Sequence, residues 1–397
     1  EVLAKLALDH PLAKILLEKQ ALPDQTQRTY DDTGWTMVLM LHAEVTPIAD
    51  KAVLGAAVTP VTEARASGTM AGERGAAALV VPHHGANAMI TLRHRLKDLD
   101  VRALASPLSS GGLTWPAGSF VVPAVQGGQP VTERVRREIE ALGLDATGLP
   151  AQPDAALHTV DLPRLAVYST WGNTQDVGWV RHALDRFEVP YDLIFKERVR
   201  RGGLRADYDV VLVPSQGRTA KGLVYDVELR GAPLDYRRDE RFPSLGHYGE
   251  SDDIRGGMGL EGVLELQRFV EQGGVLITLG AASFLPADFG LTPSITAERP
   301  SAAFYAPGPI VEAEVAAPAH PILHGYAATK FPVRYANGPL LQVPEAERGR
   351  VVLRYPGGAA SVLSGLMRGA DEIRGRPALL DLPVGAGGVV LFGGKPG

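Results

Sequence analysis

The sequence contains no cysteine. Disulfide bonds, thiolate zinc sites and cysteine nucleophiles are therefore excluded for this chain, while the redox compartment stays open. The sequence also lacks an apolar run long enough to cross a bilayer and shows no secretory signal peptide. A strong charge of one sign is missing too. With 40 Lys and Arg against 45 Asp and Glu, the net charge of −5 gives no reason to expect nucleic acid or acidic membranes as partners.

The chain has 397 residues, enough for two or three domains. It begins with Glu1 rather than Met and stops directly after a predicted strand, so we expect a fragment of a longer protein. We divide it into a leading segment, a small α/β domain, a larger α/β domain and a β-rich region that can complete the preceding sheet. These four parts cover residues 1–45, 46–160, 161–300 and 301–397.

Residues 162–216 carry the clearest pattern. An apolar strand at 164–168 runs into a polar loop, and a helix follows whose apolar stripe is spaced by three and four residues (Val177, Val180, Leu184 and Phe187). Further strands are predicted at 190–195, 208–214 and 275–279, with a helix at 262–272 before the last. Nearly continuous apolarity indicates strands buried on both faces, as in a doubly wound sheet. The order of elements favours a flavodoxin-like arrangement.

The flanking regions differ in character. In the small domain, strands are predicted at 76–82, 101–105 and 119–124, helices at 87–99 and 131–142, and a linker at 152–158. The Gly- and Ala-rich residues 55–75 are predicted to be a loop-rich connection. From residue 308 onward short strands alternate with turns, and residues 377–392 predict a β-hairpin around 385–388.

Several short motifs resemble the C-terminal region of large bacterial zinc-carboxypeptidase-like proteins. They lie at residues 30–36 (YDDTGWT), 116–120 (PAGSF), 171–179 (WGNTQDVGW), 208–214 (YDVVLVP) and 256–259 (GGMG). In that family a metallopeptidase domain precedes a region similar to class I glutamine amidotransferases. The resemblance covers nearly the whole chain. It implies a parent protein, often exported to the periplasm or beyond, that hydrolyses peptide bonds with zinc, and residues 1–45 would then follow its peptidase domain.

The metal ligands of that family are not recognisable here. Its peptidase domain binds zinc through His-x-x-Glu and a distant His, which leaves an open site for catalysis. One His-x-x-Glu exists, formed by His247 and Glu250, but it lies in a Gly- and charge-rich excursion with no element to fix it. A chance match is the simpler interpretation. We expect no cofactor in this chain and zinc only in the parent peptidase domain.

The amidotransferase chemistry is also missing. Those enzymes place a cysteine on a tight strand-to-helix turn. Here the equivalent turn follows Leu279 and reads GAASFL, without cysteine and without the second glycine of a Gly-x-Ser-x-Gly elbow. Ser283 is the candidate nucleophile, and a cap or loop serine is the alternative. We therefore expect the fold without its nucleophile.

Two other clusters can be interpreted in two ways. His83 and His84, with His94 on the following helix, have side chains suited to zinc or nickel, but no carboxylate stands at a matching spacing. A solvated loop is the simpler interpretation. The arginines between 198 and 205 are expected to form a solvated, locally paired surface rather than a nucleic-acid site. No Gly-x-Gly-x-x-Gly follows a strand, so dinucleotide binding has no support.

The loop after the first strand of the larger domain is the best ligand candidate. In open α/β sheets, ligands bind outside the carboxyl ends of the strands, and this loop offers Trp171, Asn173, Gln175 and Asp176 beside a helix N-terminus. Alternatively, the tryptophan packs the domain and Asp176 caps the helix.

The sequence thus predicts the non-catalytic C-terminal portion of a zinc-carboxypeptidase-like protein. Its expected partner is its own upstream peptidase domain, whose access it supports or restricts, with a peptide or glycan as a further ligand. One alternative is a free-standing hydrolase or amidotransferase-like enzyme without a cysteine nucleophile, which uses Ser283 or another, unrecognised nucleophile. A second alternative is a carbohydrate- or peptide-binding module.

Overall fold

The computed structural model describes residues 39, 46, 48–60, 67–72, 74–217 and 219–395. Apart from residue 39, the leading segment at 1–45 lies outside the described residues, and so does the motif at 30–36. Two units are built around separate sheets, and together they form a mixed α/β protein. In the described part of the chain, every helix is too short or too polar to cross a membrane.

The first unit contains ten strands and two helices after a short 3-10 turn at Lys51–Gly55. The strands are β1 Thr69–Ala71, β2 Ala78–Val81, β3 Arg102–Leu104, β4 Leu108–Ser110, β5 Leu113–Trp115, β6 Phe120–Pro123, β7 Val125–Gln126, β8 Gln129–Pro130, β9 Asp145–Leu149 and β10 Leu157–Thr159. The helices are α1 Ala88–Arg95 and α2 Thr132–Leu142. Six of the strands form one sheet in the order β1-β9-β2-β6-β3-β10, which is antiparallel except for the β1–β9 pair.

The core of this unit lies between the sheet and its two helices. Leu92 of α1 and Val135 and Ile139 of α2 are buried against Leu79 and Val122 of the sheet. The apolar positions of α2 recur at three and four residues, so the helix presents one continuous stripe to the sheet.

The second unit begins with a parallel half. Its elements are β11 Leu165–Tyr168, α3 Gln175–Arg186, β12 Asp192–Ile194, α4 Lys196–Arg200, α5 Leu204–Asp207, β13 Val210–Val213, α6 Ala220–Tyr225, α7 Gly259–Glu271, β14 Val275–Leu279 and α8 Phe284–Asp288. A 3-10 turn at Gly280–Ser283 joins β14 to α8. The last strand of the chain, β22 Gly387–Phe392, pairs with β14 in parallel. The parallel strands therefore lie in the order β12-β11-β13-β14-β22.

The same sheet continues as an antiparallel half. Its strands are β16 Ile310–Val315, β17 Lys330–Arg334, β19 Val351–Arg354, β20 Val362–Ser364 and β21 Pro377–Val384, and β15 Thr296–Glu298 pairs with β18 Leu340–Gln342 alongside. β21 forms the hairpin with β22 and so joins the two halves into one sheet of ten strands.

Apolar side chains explain why the two halves hold together. One cluster, which includes Val211, Leu266, Phe269 and Leu276, fills the space between the parallel strands and α7. A second cluster, around the buried rings of Tyr335 and Tyr355, lies in the antiparallel half. Buried and half-buried residues alternate along β13 and nearly all of β14, so only one face of each strand is fully buried, although the apolar runs predict burial on both faces.

Most predicted elements of the second unit are present, and β14 has the predicted bounds. The linker predicted at 152–158 is wrong at its end, because Leu157–Thr159 pairs with β3 as an edge strand. Residues 55–75 likewise contain an edge strand, Thr69–Ala71, which a loop-rich prediction missed. Both strands are only three residues long, too short for a pattern to reveal.

Candidate functional site

Trp171, in the loop after β11, packs within the protein. Its indole stacks on Phe195 with ring centroids 4.0 Å apart, and Tyr236 leans on it at 5.2 Å. Its Nε1–H donates to Glu197 at 3.4 Å. Phe195 follows β12, and Tyr236 belongs to the excursion at residues 226–258 between α6 and α7. The indole therefore joins three segments of the second unit, which is the packing role considered above for this side chain.

Asp226 fixes the backbone of that loop. Its carboxylate accepts hydrogen bonds from the Trp171 N–H at 2.7 Å and from the Gly172 N–H at 3.1 Å. Asp226 is half-buried at the end of α6 with φ of +46°, in the left-handed region that few non-glycine residues adopt. Burial raises the pKa of this carboxyl above its ordinary value, and the two N–H donors oppose the rise.

Gln216 fills the crevice between β11 and β13. Its Oε1 accepts from the Thr170 N–H at 2.6 Å, and its Nε2 donates to the Tyr168 carbonyl at 3.0 Å. The side chain is only 2% exposed. Strand order reverses at this point of the sheet, where ligands of open α/β folds usually bind. In this protein a glutamine side chain occupies that place.

The other polar groups of the loop are divided between protein and solvent. Asp176 pairs with Lys395 at 2.7 Å, which ties the start of α3 to the segment after β22. Asp176 is the second residue of α3 and so does not occupy the cap position, which belongs to Thr174. Asn173 and Gln175 are exposed. Trp171 and Asp176 thus lie at one edge of the sheet, but both side chains contact other residues of the protein.

The turn after β14 carries no nucleophile at its apex. Gly280 occupies the apex with φ of +53°, and an ideal Cβ placed there would lie 3.0 Å from the Ser215 Oγ. Ser283 lies on the last position of the 3-10 turn and is fully buried. Its Oγ is 2.9 Å from the Phe392 carbonyl and 3.1 Å from the Thr278 carbonyl. The hydroxyl of Ser283 therefore holds the turn against β14 and β22, as expected for a loop serine.

His247 and Glu250 lie in the excursion and face different neighbours. The His247 ring contacts Tyr248 edge-on at 4.6 Å, whereas the Glu250 carboxylate accepts from the Arg238 N–H at 3.4 Å. Across the described ranges, no group of three or more His, Asp and Glu side chains is arranged to hold a metal ion. Within the described ranges, the residues therefore do not fit the zinc site of a metallopeptidase.

His83 belongs to a contact between the two units. Its Nδ1 accepts from the Gly85 N–H at 3.3 Å, and an ideal Cβ on Gly118 would touch both His83 and His324. Burial lowers the pKa of both His83 and His324 below the ordinary value, so the neutral imidazoles are favoured. His84 is exposed and His94 lies on α1, so the three histidines noted in the sequence do not converge on one point in the described structure.

The sequence analysis did not identify the two residues whose side chains hydrogen-bond to the backbone at this edge of the sheet. Gln216 and Asp226 stand 46 and 55 residues from the backbone groups they hold, so no local pattern marks them. Ser215 and Gln216 lie two and three residues after the end of β13, and this position after a parallel strand was the one available signal.

Comparisons with known proteins identify no family. No known family description matches the sequence, and no curated protein matches it. Solved structures with a resemblance include PurLQS from Thermotoga maritima, at 17% identity over 60% of this chain and 88% of that one, with a TM-score of 0.35. A β-galactosidase from Bacillus circulans sp. alkalophilus matches at 15% identity over 59% of this chain, with a TM-score of 0.33. This chain spans 29% of the length of that β-galactosidase.

Proposed function

We propose that this chain is the non-catalytic C-terminal portion of a zinc-carboxypeptidase-like protein and that its parallel half has a flavodoxin-like, amidotransferase-like arrangement. Two kinds of observation support the proposal. The sequence motifs at 116–120, 171–179 and 256–259 resemble that family. The parallel strands, numbered in chain order, run 2-1-3-4-5, which is the flavodoxin-like order.

The residue at the apex of the turn after β14 is the observation on which the proposal depends. In hydrolases of this general architecture the nucleophile occupies a sharp turn between a strand and a helix, where its side chain stands clear of the sheet. Gly280 has a positive φ at the first position after β14, where the 3-10 turn begins, and it carries no side chain. Ser215 and Lys395 lie where a side chain at this position would project, at 3.0 and 3.4 Å from an ideal Cβ. This geometry therefore best supports a non-catalytic role, in which the chain keeps the fold but has no nucleophile at this turn.

In this proposal zinc and peptide hydrolysis belong to an upstream peptidase domain. The present chain supports that domain or restricts access to it, and the parent protein is exported. The proposal assigns the metal ligands to that domain, since the described residues contain no group of three His, Asp or Glu side chains arranged to hold a metal ion.

The test compares the isolated chain with the product of its complete reading frame. The isolated chain is expected to show no turnover of nitrophenyl esters, glutamine or peptides with a free carboxyl terminus. The complete product is expected to contain about one zinc per chain by elemental analysis and to release C-terminal residues from peptides.

Two results would contradict the proposal. A complete product without zinc and without peptidase activity would contradict the proposal that this chain belongs to a zinc-carboxypeptidase-like protein. Turnover by the isolated chain that is lost in Ser283→Ala would instead establish the hydrolase alternative.

A further inference from the structure

A groove lies beside α3, between this helix, the segment at 189–193 and the excursion. It is lined by Arg181 and Asp185 of α3, Tyr191 and Leu193 of the following segment, and His247 and Tyr248 of the excursion. Its volume is about 470 Å³, and it opens to solvent. We call this the α3 groove.

Arg181 is held in the α3 groove by aromatic residues rather than by a carboxylate. Its Nε–H donates to the Tyr191 hydroxyl at 3.1 Å, and its guanidinium carbon lies 3.8 Å from the centre of the Tyr248 ring. His247 supports that ring from the side. No carboxylate of the described residues lies within ion-pair distance of Arg181. Because a guanidinium has five N–H donors in a planar fork, most of its capacity for a planar anion remains.

Asp185 lies one helical turn beyond Arg181 and is exposed. In the part of the chain that the structure describes, its carboxylate makes no hydrogen bond or ion pair. Opposite charges four residues apart on a helix are close enough to pair. Arg205 and Asp209 have the same spacing in the sequence and form an ion pair of 2.7 Å, although Asp209 lies beyond the end of α5. At Arg181 and Asp185 the aromatic residues hold the cation away from the anion, so both charges face the groove unpaired.

We propose that the α3 groove binds a small zwitterion with an apolar or aromatic side chain, of the class of free α-amino acids. Its carboxylate would meet the fork of Arg181 and its ammonium group the carboxylate of Asp185. Leu193 and Tyr191 offer the apolar surface for its side chain. This assignment does not depend on the proposed parentage, because it rests only on the residues of the groove.

Three matched probes separate the two charges of the ligand. L-Phenylalanine carries both charges, phenylalaninamide lacks the carboxylate, and 3-phenylpropanoate lacks the ammonium group. Titration of the whole chain, followed by calorimetry or ligand-observed NMR, is expected to show saturable binding of L-phenylalanine. Each of the other probes is expected to bind at least about tenfold more weakly, as the loss of a charge-assisted hydrogen bond predicts.

Variants of the groove test the same assignment from the side of the protein. Arg181→Gln and Asp185→Asn are each expected to weaken L-phenylalanine binding by about tenfold or more. Arg186→Gln is the matched control, because it removes one positive charge from an exposed position on the same helix and is expected to leave binding unchanged. Arg181→Lys retains the charge but loses the fork, so it tests the assignment if Arg181→Gln does not fold.

The proposal is overturned by any of three results. These are no saturable binding of L-phenylalanine, equal binding of phenylalaninamide, and equal loss of binding in Arg186→Gln and the two groove variants.

Discussion

The carboxyl edge of the parallel sheet and the α3 groove contain similar polar side chains in opposite states. At the edge, Gln216 and Asp226 satisfy backbone groups, and Asp176 is paired with Lys395. In the groove, Arg181 and Asp185 lie one turn apart without an ion pair. Position in a fold of this type favours the edge as a ligand site, yet the contacts favour the groove. If the α3 groove binds the proposed ligand, side chains without a protein partner will have identified the site in this protein, rather than the position in the sheet.

Among the substitutions at the carboxyl edge of the sheet, Gln216→Ala is expected to reduce stability the most. The substitution leaves the Thr170 N–H and the Tyr168 carbonyl without partners in a buried place, so the free energy of unfolding should fall by about 3 kcal/mol. Urea denaturation followed by tryptophan fluorescence measures the change. Gln175→Ala, at an exposed position in the same region, should change stability by less than about 0.5 kcal/mol. Equal effects of the two substitutions would show that the edge is not closed by Gln216.

A smaller loss is expected from Gly280→Ala. The φ of +53° disfavours a side chain, and the new Cβ would lie 3.0 Å from the Ser215 Oγ, so stability should fall by about 1–2 kcal/mol. Gly178→Ala is the matched control. It lies within α3 with no atom within 4 Å of an ideal Cβ, so stability should rise slightly, by up to about 1 kcal/mol. Thermal denaturation of both variants decides the matter, and a neutral Gly280→Ala would mean that the turn can accept a side chain.

The smallest effect is expected for the Asp176–Lys395 pair. Its side chains are 29% and 17% exposed, so a double-mutant cycle of Asp176→Asn and Lys395→Met should give a coupling of about 1 kcal/mol. The exposed pair of Arg230 and Glu228 is the control and should give less than about 0.5 kcal/mol. A coupling no larger than that of the control would leave Asp176 available to a ligand and would restore the edge as a candidate site.

Helices and strands were predictable from the sequence where their buried side chains produce a regular apolar pattern. β14 and the hairpin of β21 and β22 follow from apolar runs and turn glycines, since both are buried by the surrounding structure. The edge strand Leu157–Thr159 was not predictable, because it is extended through its pairing with β3 and not through a pattern in its own three residues.

The candidate site was less predictable than the fold, for the same reason. The sequence identified Trp171 and Asp176 as neighbours of a helix N-terminus, but not their partners Phe195 and Lys395. Arg181 lies outside the apolar stripe of α3, and its guanidinium contacts Tyr248, which lies 67 residues further along the chain. Contacts between distant segments leave no local pattern in one sequence.

The position of β22 also determines when this protein can fold during synthesis. β14 and β22 are adjacent in the sheet, but more than one hundred residues separate them in the chain. A nascent chain that has just completed β14 therefore exposes the backbone hydrogen-bonding groups of Val275–Leu279 as an open edge until the last strand leaves the ribosome. Production of residues 161–300 alone would make that edge permanent, so such a fragment is expected to aggregate.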